Sequence, residues 1–213
     1  MNKIYHNGKF LVAFIFFLSV FCSIFFLFFF QNIGPVEHQT PGTDYFERYE
    51  PVANSLLEGK GFRVGGKIVD YSGPGFSVIL AGIFSLSKIM EIDKFTLITF
   101  FNIIFTALAT CLLFFIIKEI FDKKIALISS FLWMTYPFNL WFIKNPNTEV
   151  LFIFLLYLGI FLYILSLKRK SLKLIFASGI LLGLVTLTRL IGLFLPLVFL
   201  LMIFYFQILQ ARC

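Results

Sequence analysis

Asp44, Glu149 and Arg189 are the ionisable side chains whose settings suggest chemistry, because each stands at the edge of a long apolar run. Asp44 is the second residue of the stretch TDYFERYEPVANSLLEGKGF, residues 43–62, which follows the charge-free run FLVAFIFFLSVFCSIFFLFFF of residues 10–30 by a short connection. A carboxylate held at such a boundary suits a general base. Asp44 and Glu47 also have the D-x-x-E spacing of a capping box, the commoner use of that pattern. Glu149 ends the turn Asn145-Pro-Asn-Thr-Glu149, where Asn147 or Thr148 could cap the next helix and Glu149 would favour its positive end. The functional alternative is a carboxylate that binds a metal ion or a sugar hydroxyl. Arg189 lies in TLTRLIG (186–192) between two apolar runs, so it either reaches to the interface or pairs with an anion. A guanidinium suits a phosphate, which it can hold through two parallel hydrogen bonds.

Other polar positions carry weaker signals. Tyr71-Ser-Gly-Pro-Gly75 makes a tight turn, or a backbone that a ligand can approach closely. Asn102, in the middle of an apolar run, is expected to bond a neighbouring helix. His6 and His38 are isolated and suggest no metal site. Cys22, Cys111 and Cys213 have no metal spacing and imply no disulfide framework. No P-loop, nucleophile elbow or dinucleotide fingerprint is present.

The elements that must position these residues are set by hydropathy. The chain has 213 residues, 60% of them hydrophobic, with 32 Phe. Its mean hydropathy of +0.95 points to an all-α, polytopic transmembrane helix bundle. Apolar runs at 10–30, 95–117, 125–143, 149–167, 172–188 and 190–208 predict about six spans. The net charge of +7 comes from basic residues scattered between these runs. They read as orientation signals and exclude nucleic-acid binding. The run 76–90 has only 15 residues, so it spans ~22 Å against a hydrocarbon core of ~30 Å. If it does not cross, Lys3, Lys9, Lys118, Lys123, Lys124, Lys168, Arg169, Lys170, Lys173 and Arg212 share one side. Only Lys144 and Arg189 then fall in short loops on the other. The positive-inside rule favours that arrangement. It places the N-terminus in the cytoplasm, makes 31–94 one long outer loop with interfacial segments, and leaves 95–208 as five further spans of a single transmembrane domain, 1–213. Asp44, Glu149 and Arg189 then face the same membrane surface. Within the loop, Tyr45, Tyr49, Val52, Leu56 and Leu57 form one apolar stripe of an interfacial helix. Pro51 should kink or restart that helix and Gly59 end it.

Four stretches carry a resemblance. They are Asp44 with Tyr49, Ala53 and LLEGKGF (56–62); SGPGFSVILAGIFSL (72–86); NTEVLFIFLLYLGIFLYIL (147–165); and SGILLGLVTLTRLIGLFLPL (178–197). In this order they resemble the polytopic glycosyltransferases of the C-type fold (GT-C), which use a polyprenyl-phosphate sugar as donor and include protein mannosyltransferases and lipid A aminoarabinose transferases. The resemblance implies hexosyl or pentosyl transfer, with inversion, to a lipid, glycan or protein acceptor on the extracytoplasmic side. It implies Asp44 as catalytic base, Glu149 as a metal or substrate residue, and Arg189 as a phosphate partner, with Lys60 and Arg63 as further substrate-binding cations. A divalent metal ion is an expected cofactor, and Glu149 the candidate ligand. Membrane lipid is an expected partner, and the setting implied is a cell envelope, the bacterial inner membrane. Pro51 departs from the family's pattern, in which a helix former is expected. Complete members are longer, so the chain resembles an N-terminal portion. The rival reading is a non-catalytic transporter or assembly subunit, which would place ionisable groups near the bilayer midplane and show internal repeats. No repeat is visible, and the acidic residues stand at the ends of apolar runs.

Overall fold

The computed structural model describes residues 2–30, 43–69 and 73–201 apart from Pro196 and Phe199, with side chains from Lys9 onward. Of the positions singled out above, 31–42 with His38, Tyr71, Ser72, the end of the run 190–208, and Arg212 and Cys213 lie outside the described residues, as does the side chain of His6.

Long apolar runs without interior proline give long helices, because each backbone N–H must find its carbonyl within the segment. They are α1 (Asn2–Phe30), α4 (Lys94–Ile120) and α7 (Glu149–Arg169). Asp93 caps α4 by accepting from the Thr96 N–H at 2.9 Å, and Asp122 caps the helix that starts at Lys123 by accepting from the Ile125 N–H at 2.8 Å. The expected span over 125–143 is broken. It consists of α5 (Lys123–Met134) and α6 (Pro137–Ile143), bent by 54°. Pro137 sits at the start of α6, where its missing N–H costs nothing, and it restricts Tyr136 to extended backbone. Tyr136 has ψ 120°. Helix α8 (Leu172–Thr188) has 17 residues, and Leu190–Phe194 forms a 3-10 turn.

The expected count of about six spans is not confirmed among the described residues. Three helices among the described residues are long and apolar enough to cross a membrane, or four if α5 and α6 count as one. The break at Tyr136-Pro137 divides a segment that hydropathy alone reads as continuous, whereas Arg189 separates two runs that the sequence already divides.

Helices α1 and α4 run antiparallel, joined by Ser19 and Thr110, whose buried hydroxyls lie 3.2 Å apart. Cys111, Phe114, Ala126 and Met134 pack with Ile15 beside them. Gly159 lets α8 approach α7, and Ser178 Oγ donates to the Gly159 carbonyl at 2.9 Å. The outward face of α1 exposes Phe10, Phe17, Phe21 and Phe28. A surface of that kind is costly in water and suits lipid.

The segment before α4 caps one end of the bundle. Tyr45–Tyr49 is one π-helical turn that runs into α2 (Glu50–Leu57). Pro51 lies in the first turn of α2, so the helix restarts there. Gly59 follows its end with φ +72°. Of the expected stripe, Tyr45 and Val52 are buried and Tyr49, Leu56 and Leu57 are half-buried. Tyr45 packs with Ala53, Phe76, Leu80, Ile83, Leu97, Ile98 and Leu151 in one core cluster. A hairpin that the sequence reading did not anticipate follows. β1 (Arg63–Val64) pairs antiparallel with β2 (Lys67–Ile68) through Gly65 and Gly66, both at positive φ. Two glycines of that conformation are what a tight hairpin turn needs.

Helix α3 (Pro74–Met90) starts against Leu187 and Thr188 at the end of α8 and finishes three residues before α4 begins. Both its ends are thus tied to the same end of the bundle. Lys94, at the start of α4, pairs with Glu50 and lies 5.3 Å and 5.0 Å from the rings of Phe84 and Phe95.

Candidate active site

A cavity of about 460 Å³ opens at that end. Four chain segments line it: Thr43–Tyr49, Gly73, Pro146–Glu149 and Thr188–Ile191. Asp44, Glu149 and Arg189, more than a hundred residues apart at the extremes, therefore share one wall space.

Asp44 does not cap a helix. Its backbone is already helical, and its carboxylate makes no cap hydrogen bond. A cap needs extended backbone at that residue. The carboxylate instead meets Arg48 at 3.3 Å, one turn on, and is 61% exposed. It is accessible to a ligand. Arg48, which lines the cavity, was not singled out from sequence. Its only signal there is the i,i+4 spacing from Asp44.

Arg189 ends α8 with extended backbone, φ −145° and ψ 130°. Its guanidinium pairs with Glu149, donates to Thr148 Oγ1 at 3.2 Å, and lies 6.0 Å from the Phe152 ring. Of the two outcomes open to it, pairing with an anion is the one realised, and the anion is Glu149. Thr148 and Asn147 do not cap α7. Thr148 is helical with no cap bond, and Asn147 Nδ2 donates to the Phe142 carbonyl at 3.2 Å. Glu149 lies in the first turn of α7, where the helix dipole favours its charge.

Two neighbours fix this arrangement. Asn102, buried in α4, donates through Nδ2 to the carbonyls of Ile143 and Asn145 at 3.1 Å and 3.0 Å. It thereby holds the turn that carries Thr148 and Glu149. Gly73 and Gly75 press on the last turn of α8. A Cβ at either would lie under 3.0 Å from the Leu187 carbonyl oxygen. The close backbone approach of the SGPG stretch is thus to α8, next to Arg189.

Tyr49 lines the cavity beside both ion pairs. Burial and the charge of Asp44 push its phenol above the ordinary range, and Arg189 opposes the shift. The group stays a protonated hydrogen-bond donor at neutral pH. Its ring meets Phe76 edge-on at 5.1 Å, and its carbonyl accepts from Ser77 Oγ at 3.3 Å, which ties the cavity wall to α3.

Lys60 and Arg63 are not brought to the site. Neither lines the cavity, and Lys60 pairs with Glu58 at 2.6 Å on the exposed face. Among the described residues no three Asp, Glu, His or Cys side chains gather to hold a metal. Asp44 and Glu149 are the carboxylates at the cavity. A hard divalent ion there would take one or both, complete its shell from substrate phosphate and water, and compete with Arg189 for Glu149.

Comparison with known proteins agrees with this architecture. The family model described as dolichyl-phosphate-mannose-protein mannosyltransferase matches residues 72–212. Glu149 and Arg189 fall inside that match, and Asp44 precedes it. No curated protein and no solved structure matches the chain. With two thirds of its length inside the match and apolar helices of membrane-spanning length, the chain belongs to the dolichyl-phosphate-mannose-protein mannosyltransferase family of membrane glycosyltransferases.

Proposed function

We propose that the chain takes part in transfer of a sugar from a polyprenyl-phosphate donor to an acceptor hydroxyl or amine on the extracytoplasmic side, with inversion at the anomeric carbon. The observation that carries the reading is the joint lining of one polar cavity by Asp44, Arg48, Glu149 and Arg189 at one end of an apolar bundle. A sugar phosphate whose lipid tail lies between helices would present its polar head at such an end.

In this reading the acceptor oxygen or nitrogen attacks the anomeric carbon. The bond from that carbon to the phosphate oxygen breaks, and polyprenyl phosphate leaves with the electron pair. Asp44 takes the acceptor's proton. Arg189 and Arg48, which line the cavity, stabilise the growing phosphate charge, a role that Lys60 and Arg63 do not share. Glu149 orients Arg189 and accepts from a sugar hydroxyl. Arg189 retains N–H donors beyond those used on Glu149 and Thr148, so it can hold a carboxylate and a phosphate oxygen together. The cytoplasmic side is then the end rich in lysine, as the positive-inside rule requires.

The placement of the ion pairs supports this reading over a transporter. Asp44–Arg48 and Glu149–Arg189 lie at one end, and Lys168–Glu119 lies at the other. Among the described residues, the fully buried side-chain hydrogen bonds between helices are neutral, such as Ser19–Thr110. The test is a transfer assay with purified protein and a polyprenyl-phosphate sugar. Asp44→Asn should lower turnover by ~100-fold or more, the scale of a lost general base, with unchanged melting temperature. Wild-type turnover in Asp44→Asn removes the base assignment.

A further inference from the structure

The end of the bundle away from the site carries a second, larger cavity. It is a groove of about 1270 Å³ between α1, α4 and α7. Its walls are apolar, with Val12, Phe16, Leu112, Phe115, Phe154 and Leu158 among them. Lys9, Lys118 and Lys123 line it as well, and all three are exposed. The acidic groups near them are engaged elsewhere. Glu119 pairs with Lys168 at 2.7 Å, and Asp122 accepts from the Ile125 N–H. Lys124, Arg169, Lys170 and Lys173 stand at the same helix ends and add positive potential.

An apolar cleft with cations at its mouth fits an amphiphile whose head is anionic. We propose that this groove binds an anionic glycerophospholipid. Its phosphate sits among Lys9, Lys118 and Lys123, and an acyl chain runs between α1, α4 and α7. Charge complementarity selects this occupant, because a zwitterionic lipid fills the apolar part equally well but gains little from three exposed ammonium groups at one mouth. The lipid would brace α1 against α4 and α7 at the end remote from Asp44 and Arg189. It is a site separate from the sugar-donor cavity.

The test is native mass spectrometry of the delipidated full chain in detergent, titrated with phosphatidylglycerol and with phosphatidylcholine of the same acyl chains. Phosphatidylglycerol should bind one to one and at least tenfold more tightly. The variant Lys9→Gln/Lys118→Gln/Lys123→Gln should weaken it by roughly 100-fold. The control Lys124→Gln/Lys170→Gln/Lys173→Gln, with the same charge change outside the groove, should stay within about threefold of wild type. Leu112→Trp, which fills the groove with all charges intact, should also weaken binding. Equal binding of the two lipids overturns the proposal, as does equal weakening in the two triple variants, which would mean diffuse surface attraction. So does unaltered binding in Leu112→Trp. One-for-one displacement by polyprenyl phosphate would assign the groove to the carrier lipid instead and likewise overturn it.

Discussion

Gly73→Ala should damage the enzyme, and Gly82→Ala, the same methyl on the same helix segment, should not. At Gly73 the backbone is extended, φ −61° and ψ 131°, which alanine adopts freely. The effect is therefore steric alone. The new Cβ would lie under 3.0 Å from the Leu187 carbonyl oxygen, 3.1 Å from Leu187 C and 3.3 Å from Thr188 C. All three atoms are backbone, so no side chain can turn away. The start of α3 and the end of α8 must part by roughly half an ångström or more, a strain of about 1–3 kcal/mol. That corresponds to a fall in melting temperature of roughly 2–12 °C for a chain of this size. Arg189 follows Thr188 directly, so the displacement moves its guanidinium against Glu149. Misplacement approaching an ångström can cost up to about 100-fold in rate. At Gly82, inside α3 (Pro74–Met90), nothing lies within 4 Å of the added Cβ. Alanine there gains up to about 1 kcal/mol in helix propensity. Thermal unfolding in detergent and turnover in the transfer assay measure both effects. If Gly73→Ala keeps the melting temperature and turnover of wild type, the packing of α3 on α8 is not what places Arg189.

Three other outcomes are expected. Asn102→Leu removes both donors to the Ile143 and Asn145 carbonyls. It should cost about 1–2 kcal/mol in thermal unfolding and lower turnover, although Asn102 does not line the cavity. Arg48→Gln should reduce kcat/KM by at least about tenfold, whereas Lys60→Gln and Arg63→Gln should each stay within about twofold, since charge-assisted contacts to phosphate are lost only in the first. The phenols of Tyr45 and Tyr49 are both pushed up, chiefly by burial. The folded state thus favours their neutral form. Stability should be intact below the ordinary phenol value of ~10 and fall as pH rises from there through the folded values. Tyr45→Phe/Tyr49→Phe should flatten that alkaline loss in a pH series of melting curves.

Local rules made part of the site legible. Pro51 restarts a helix, Gly59 follows its end and Asn102 bonds across to another element, as their residue types require. Local rules misled at Asp44. The capping-box spacing is present, but the chain is already helical there, and the carboxylate turns to Arg48. The hairpin that pairs Val64 with Lys67 is signalled locally only by the Gly65-Gly66 pair in its turn. Lys60 and Arg63, implied by the resemblance, do not line the cavity: Arg63 lies on the hairpin strand, and Lys60 pairs with Glu58. Arg48 could be found only by asking what Asp44 meets one turn later.

Composition and hydropathy by themselves determined that this is an apolar helical bundle with its cations gathered toward one end. Those properties follow from transfer free energies summed along short windows, and no fold is needed to evaluate them. Helices α3 and α8 mark the limit of that sum. Each is a mainly apolar helix of 17 residues, so hydropathy cannot tell them apart. Their packing does. Helix α8 begins three residues after α7 ends and runs back along it, with Ser178 on Gly159, while α3 begins and ends at the same rim. Likewise, only tertiary structure could bring Asp44 with Arg48 and Glu149 with Arg189 around one cavity. That convergence depends on Asn102 reaching the 143–145 turn and on two glycines that admit the carbonyl of Leu187, contacts between segments that no local window contains.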